Sequence, residues 1–234
     1  MSRQIMLIPA AGVGQRFGAG RPKQYVDLAG RTMLEQTVNR LSQIDGIDLI
    51  VIVVSVDDGY IDEVISAANW SAHVHILRCG GASRAETVKN GLYTARTLFG
   101  LQPEDWILVH DAARCCVRTD SVLRLIQAVH SDAAGGLLAV PVSDTLKLAD
   151  ETGHVCRTID RTAMWQAQTP QMFRLGILIQ ALDNADLSTV TDEASAVEAL
   201  GFQPLLVMGD VANLKITTMQ DLALARFFLQ QETT

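Results

Sequence analysis

Short apolar runs alternate with amphipathic segments along most of this chain. The runs at 5–9, 49–54, 74–79, 106–110, 136–140 and 204–208 have the length of strands buried on both faces. Segments near 32–42, 60–68, 84–98, 121–131, 175–185, 192–200 and 219–230 read as helices between and after them. Gly46, Gly100 and Gly201 stand where helices should stop. The alternation predicts an α/β fold with a mainly parallel sheet covered by helices on both faces. A length of 234 residues suits one large domain spanning 1–234. No internal repeat or low-complexity linker is visible.

One segment departs from the alternation. Across 144–161, two alternating runs flank Asp150-Glu151-Thr152-Gly153, the pattern of a β-hairpin. A hairpin has no obvious place in a parallel sheet. Either it projects as an arm and pairs with a second subunit, since two strands alone are marginally stable, or it folds over its own domain edge. The residues leave both open.

Composition narrows the partners. Nineteen basic and 26 acidic residues give a net charge of −7, which argues against nucleic acid or an anionic membrane as the main partner. Cys79, Cys115, Cys116 and Cys156 make no C-x-x-C pair and have no zinc spacing. They are expected to be buried or half-buried thiols in a reducing compartment. The apolar stretch at 5–11 is too short for a secretory leader, and no run is long enough to span a bilayer. A cytoplasmic location is expected.

Against this acidic background one basic cluster stands out. The first strand ends in Pro9-Ala10-Ala11-Gly12-Val13-Gly14-Gln15-Arg16-Phe17-Gly18, followed by Arg21-Pro22-Lys23-Gln24. Small residues let backbone N–H groups approach a ligand, and Arg16 and Lys23 add charge where a phosphate chain would lie. The loop is not a Walker A motif. Phe17 occupies the third glycine position of a dinucleotide fingerprint, so it is not that either. Either basic residue alone reads as a solvated surface side chain. Both at one strand end point to a nucleoside triphosphate.

Other strand ends carry further candidates, since open α/β sheets bind ligands there. Gly80-Gly81 permits close backbone approach to a base or ribose, or is a plain turn with Ser83 as N-cap before Arg84 and Thr87. In His110-Asp111-Ala112-Ala113-Arg114, Asp111 is suited to hold Mg²⁺ with water and phosphate oxygens, and Arg114 to meet a second anion. His110 reads as a packed side chain, with no Ser or Cys partner for a triad. Lys215, expected within a short apolar strand at 213–217, either snorkels to the surface or meets a phosphate. Thr191-Asp192-Glu193 reads as a helix N-cap with an acidic first turn. Arg16, Lys23, Arg114 and Lys215 around one carboxylate, with no evident general base, point to nucleotidyl transfer. A phosphate nucleophile is already ionised, so the protein's work is in-line positioning and charge neutralisation.

These motifs, with Asp144-Thr145, Asp160-Arg161, Thr169-Pro170-Gln171, Thr191-Asp192-Glu193-Ala194-Ser195 and Asn213-x-Lys215-x-Thr217, recur in an order that resembles the 2-C-methyl-D-erythritol 4-phosphate cytidylyltransferases of the non-mevalonate isoprenoid pathway. The likeness covers essentially the whole chain. It implies a Rossmann-like nucleotidyltransferase domain and a homodimer joined through the hairpin arm. The implied reaction couples CTP to methylerythritol phosphate with Mg²⁺ and releases pyrophosphate. By resemblance, Arg16, Lys23 and Lys215 are the catalytic cations, and Asp111 sits at the metal. Ala10, Ala11, Gly12, Gly81 and Thr87 frame the cytosine and ribose. Thr145 and Arg161 reach the acceptor in the other subunit's site, which Asp111, Arg114, Thr169 and Thr191 also face. Cys115 stands where proline is common in the family, and Thr87 where serine is common; neither removes a ligand group. A ribitol 5-phosphate cytidylyltransferase is the alternative, sharing the nucleotide loops and differing in the polyol pocket.

Overall fold

The protein's structure, a computed structural model, describes residues 2–12 and 20–231. The chain opens with β1 (Gln4–Pro9), a 3-10 turn (Lys23–Tyr25), β2 (Asp27–Leu28), β3 (Arg31–Thr32), α1 (Met33–Leu41), β4 (Leu49–Val54), α2 (Ile61–Ala68) and β5 (Val74–Arg78). It continues through α3 (Arg84–Phe99), β6 (Trp106–Val109), α4 (Thr119–Val129), β7 (Gly136–Pro141), β8 (Leu146–Ala149) and β9 (Val155–Ile159). It ends with β10 (Trp165–Arg174), α5 (Leu175–Asn184), α6 (Glu193–Ala199), β11 (Leu205–Met208) and α7 (Met219–Gln231).

Among the described residues seven strands form the main sheet, in the order β11-β7-β10-β6-β1-β4-β5. All neighbours are parallel except β10, which runs antiparallel to both β6 and β7. The period-2 alternation of a strand divides β1 cleanly. Ile5 and Leu7 pack with Val88 and Leu92 of α3 and Leu178 and Leu182 of α5. Met6 and Ile8 pack on the other face with Val38 of α1, Ile61 of α2 and Leu125 of α4. All four β1 side chains are fully buried, at about 1.5–3 kcal/mol each, so the central strand is strongly anchored. A third cluster seats α7, through Leu222, Ala225 and Leu229, on Leu28, Met33 and Ile216.

The helix ends follow local chemistry. Thr32 and Glu35 form a reciprocal capping box at the start of α1. Ser83 accepts the Glu86 N–H at the start of α3, as its N-cap position predicts. Gly100 closes α3 in the left-handed region at φ +61°.

Three expectations need correction, and one open alternative is decided. The pattern predicts no strand at 165–174, yet β10 lies between β6 and β7. Its polar residues and internal Pro170 hide it. The proline lies where the β10–β7 register shifts, between Ala167 and Gln171, so no ladder bond there needs its missing N–H. Residues 213–217 are not a strand; they form a loop before α7. Cys156 is exposed rather than buried, on β9. The hairpin does not fold over its domain edge. β8 and β9 form their own two-stranded sheet and project, leaving Leu148 and Val155 largely exposed.

The start of β1 is locked to the loop before β6 by a buried carboxylate. Asp105 accepts the backbone N–H groups of Arg3 and Gln102, each at 2.8 Å, and the Arg3 guanidinium at 3.1 Å. Burial alone would raise its pKa. The Gln102 and Arg3 N–H groups and the Arg3 charge overcome this and hold it below its ordinary value of 3.8. A depressed carboxylate adds stability that is present above that value and lost only as pH falls below it, through the lowered pKa of the folded state. Asp105→Asn should therefore cost about 1.5–3 kcal/mol at pH 7, in urea unfolding, with the gap narrowing towards about pH 2. An equal gap at both pH values would show that the charge contributes nothing.

Candidate active site

The loops after β1, β5 and β6 meet at one edge of the sheet. Backbone contact between them is close. A Cβ added to Gly80 would lie 2.3 Å from the Ala11 Cβ and 2.9 Å from the Val54 carbonyl oxygen, so no larger residue fits. The cavity they enclose, about 430 Å³, is lined by Ala10, Ala11, Gly12, Lys23, Gly81, Thr87, Asp111 and Lys215, among others. Eight sequence-derived candidates thus meet in one place. Arg16 and the rest of 13–19 lie outside the described residues.

Lys23 sits on the 3-10 turn rather than on an unstructured surface loop. The buried Gln24 side chain donates to the Ala10 carbonyl at 2.7 Å, tying that turn to the end of β1. Tyr25 stacks on Tyr60 at 5.3 Å and donates to Asp58 at 2.8 Å. Lys23 Nζ then donates to the Ile216 carbonyl at 3.1 Å, which brings it to the Lys215 loop. Thr87 uses its hydroxyl internally. It accepts the Gly81 N–H at 3.1 Å and donates to the Ser83 carbonyl at 2.8 Å, shaping the glycine turn.

Asp111 is the charged centre of the site and is almost fully buried. Its Oδ1 accepts from Arg84 Nε at 2.8 Å and its Oδ2 from Lys215 Nζ at 2.8 Å, while Arg114 Nε stands 3.9 Å from Oδ2. Burial would raise its pKa, but Arg84 and Lys215 more than reverse this and hold the carboxyl far below its usual range. It is a carboxylate at any working pH.

A second cavity of about 260 Å³ adjoins the first. Its lining includes Arg114, Thr169, Thr191, Arg84, Asp111 and Lys215. Arg114 is braced: its Nη1 and Nη2 donate to the carbonyls of Asn213 at 2.6 Å and Ala167 at 3.2 Å. Thr145 and Arg161 do not join this group. They flank the root of the hairpin, exposed, with Arg161 donating to the Ser143 carbonyl, and they line neither cavity.

His110 is fully buried, as its packed reading predicts. Burial pushes its pKa down to about 4, so the ring is neutral. Its Nε2 faces the Arg114 carbonyl at 3.2 Å and must carry the proton. Its Nδ1 then accepts from the Thr169 hydroxyl at 3.0 Å, and that hydroxyl accepts the Asp111 N–H at 3.0 Å. Every donor in this chain has one acceptor, and the turn carrying Asp111 is fixed by it.

Sequence reasoning missed two partners. Arg84 appears in a motif only as the residue after an N-cap, and Glu193 only as an acidic first-turn residue. The structure pairs them: Arg84 Nη1 and Nη2 meet the two Glu193 oxygens at 2.7 and 3.1 Å. Glu193 is fully buried, which no local signal reveals.

Among the described residues no three His, Cys, Asp or Glu side chains gather as a metal cage. Asp111 is the one carboxylate lining the larger cavity. Among the described residues no helix is long and apolar enough to cross a membrane.

Thr169→Val should test the His110 chain. It keeps the shape and removes the hydroxyl, leaving the Asp111 N–H and His110 Nδ1 unpaired. The expected loss is about 1–3 kcal/mol in urea unfolding at pH 7, with Thr169→Ser restoring most of it. Equal stability of the valine variant would disprove the chain.

Residues 4–231 match the family model described as 2-C-methyl-D-erythritol 4-phosphate cytidylyltransferase. A relative of that name from Neisseria meningitidis serogroup C is 51% identical over 229 residues, covering 97% of each chain. One from Laribacter hongkongensis is 49% identical, covering 98% of this chain and 97% of its own. Solved structures agree. A 4-diphosphocytidyl-2C-methyl-D-erythritol synthase superposes with a TM-score of 0.87 at 43% identity, over 98% of this chain and 99% of its own. The Thermus thermophilus cytidylyltransferase gives 0.78 at 30% identity, over 98% and 100%.

Proposed function

The chain belongs to the 2-C-methyl-D-erythritol 4-phosphate cytidylyltransferase family, and from that premise we propose how its side chains divide the reaction. The enzyme transfers the cytidylyl group of CTP to 2-C-methyl-D-erythritol 4-phosphate, giving 4-diphosphocytidyl-2-C-methyl-D-erythritol and pyrophosphate. A ribitol 5-phosphate acceptor would use the same nucleotide loops, but the family match does not favour it.

The observation that carries the assignment of sites is the wall between the two cavities, where Lys215 and Asp111 border both. CTP takes the larger cavity, with Ala10, Ala11, Gly12, Gly81 and Thr87 against the cytosine and ribose. Lys23, Lys215 and Arg16 neutralise its triphosphate. Methylerythritol phosphate takes the smaller cavity, bordered by Asp111, Arg114, Thr169 and Thr191. Its phosphate, with a second pKa of about 6, is largely dianionic at neutral pH and attacks the α-phosphorus without a base. The neutral, fully bonded His110 is not needed for proton transfer. Lys23 and Lys215 meet the charge that gathers on the α-phosphoryl oxygens and on the departing pyrophosphate, where fixed cations act most strongly.

Mg²⁺ fits as a visitor rather than a resident. Asp111 is the one carboxylate lining the larger cavity, and both its oxygens meet Arg84 and Lys215, so it would offer Mg²⁺ a ligand only as Lys215 turns to a phosphate, the other ligands being phosphate oxygens and water. Asp111 would hold it on that side, and the ion would supply charge neutralisation along the triphosphate. The four free thiols, Cys115 and Cys116 buried side by side among them, suit a reducing cytoplasm.

The arm completes the site of a second subunit in a homodimer. Supporting this, Thr145 and Arg161 line neither cavity of their own chain, and the projecting hairpin leaves Leu148 and Val155 without cover. Arg161 offers a planar fork suited to a phosphate.

Pyrophosphate release should require CTP, Mg²⁺ and methylerythritol phosphate together. Faster release with ribitol 5-phosphate would overturn the acceptor assignment. Lys23→Ala and Arg161→Ala chains should each lose about 10²–10³ in rate. Mixed after subunit exchange, they should recover activity, because a mixed dimer with Arg161 acting in trans gathers both defects in one site and leaves the other intact. No recovery, with exchange confirmed by tag co-purification, would place Arg161 in its own chain's site.

A further inference from the structure

The two cavities share three side chains: Arg84, Asp111 and Lys215. Lys215 and Asp111 have assigned parts in the reaction; Arg84 has none. It is the first residue of α3, and each of its guanidinium nitrogens is bonded. Nε donates to Asp111, and Nη1 and Nη2 clasp Glu193 in a bidentate fork. Glu193 is the first residue of α6, is fully buried and lines neither cavity. A chain of charges therefore runs from the interior to the wall: Glu193, Arg84, Asp111, Lys215.

The two cations hydrogen-bonded to Asp111 differ in kind. Lys215 is a point charge on a flexible stem and its side chain is 42% exposed, so it can turn away. Arg84 cannot follow, because Glu193 holds its far edge. If Lys215 leaves Asp111 for a phosphate, only Arg84 remains at hydrogen-bond distance from the buried carboxylate, with Arg114 3.9 Å away, so Arg84 is the cation that must stay.

We propose that Arg84, locked by Glu193, is a positioning residue that keeps the Asp111 carboxylate paired and oriented while Lys215 swings onto the reacting phosphate. This rests on the part assigned to Lys215 above. Arg84 also keeps α3, which follows the glycine turn, in fixed relation to α6, which follows Thr191 and Asp192. The nucleotide wall and the acceptor wall are thereby braced against each other across the reaction centre.

The test is steady-state pyrophosphate release by the full chain, varying CTP and methylerythritol phosphate separately, well below the melting temperature of each variant. Glu193→Gln keeps the shape, weakens the fork and touches neither cavity. It should lower kcat by about tenfold or more while leaving KM for CTP within about twofold. Arg84→Lys keeps the charge but cannot span both carboxylates, and should lose about 10². The double variant should be no worse than Arg84→Lys alone, since Glu193 acts through Arg84.

A Glu193→Gln enzyme with kcat within about twofold of the unaltered one would overturn the proposal. So would a double-variant loss equal to the product of the single losses. If Glu193→Gln fails to fold, Arg84→Lys decides alone by the same threshold on kcat. Inactivity of the unaltered enzyme towards CTP and methylerythritol phosphate would overturn the functional reading and this proposal with it. An active enzyme indifferent to Glu193 and Arg84 overturns the proposal only.

Discussion

A carboxylate cannot be buried alone, and the site is arranged around that constraint. Asp111 lies at the carboxyl end of β6 with little access to water. Taking such a charge out of water costs several kcal/mol unless cations and hydrogen bonds replace the lost hydration. Here they arrive from separate parts of the chain: Arg84 from the start of α3, Lys215 from the loop before α7 and Arg114 from its own turn, while Thr169 of β10 holds the backbone by accepting the Asp111 N–H. Satisfying one buried charge thus fixes the relative positions of four segments that are distant in sequence.

The antiparallel β10 is what makes two cavities out of one sheet edge. An all-parallel sheet would send the chain from β6 to its next neighbour through a helix. Here β10 enters between β6 and β7 and runs the opposite way. Its register shift lies at Gln168, Thr169 and Pro170, beside the end of β6. Thr169 reaches His110 and Asp111 from that irregularity, and the Ala167 carbonyl receives Arg114. The buried Asn213 donates to the Thr169 carbonyl, which draws the Lys215 loop to the same point. A regular ladder would have spent those backbone groups on strand pairing.

What was legible in the sequence is what local pattern encodes. The apolar runs of β1, β4 and β6 are buried on both faces, and their period and length announce them. The Ser83 and Asp192 caps are equally local, set by the side chain and the two or three residues that follow. The glycine turn and Lys23 of the nucleotide loop were legible because small residues and isolated positive charge are unusual at strand ends. The burial of Glu193 was not legible, because a first-turn glutamate usually faces water and only tertiary contact with Arg84 turns it inward. β10 was hidden because its Pro170 and polar side chains are tolerated by a bulge that local pattern does not reveal. Lys215 was misread for the opposite reason. Its apolar neighbours suggested a strand, whereas Ile216 is buried against α7 without any sheet pairing.

The distribution of charge follows from the same arrangement. The chain carries a net −7, yet Lys23, Arg84, Arg114 and Lys215 gather around three carboxylates, Asp111, Asp192 and Glu193. The excess is positive and confined to a concave region. There, low-dielectric walls strengthen it relative to the solvated acidic surface, whose charges are screened within about 8 Å at physiological salt. An acidic exterior disfavours long polyanions, which must lie across much of the surface. A small phosphate or triphosphate escapes that repulsion once inside, because it meets only the local field. Net charge and binding preference therefore point in opposite directions without conflict. Glu193 contributes to both: it offsets one of the cations, and by holding Arg84 it keeps the remaining positive charge at the wall between the cavities.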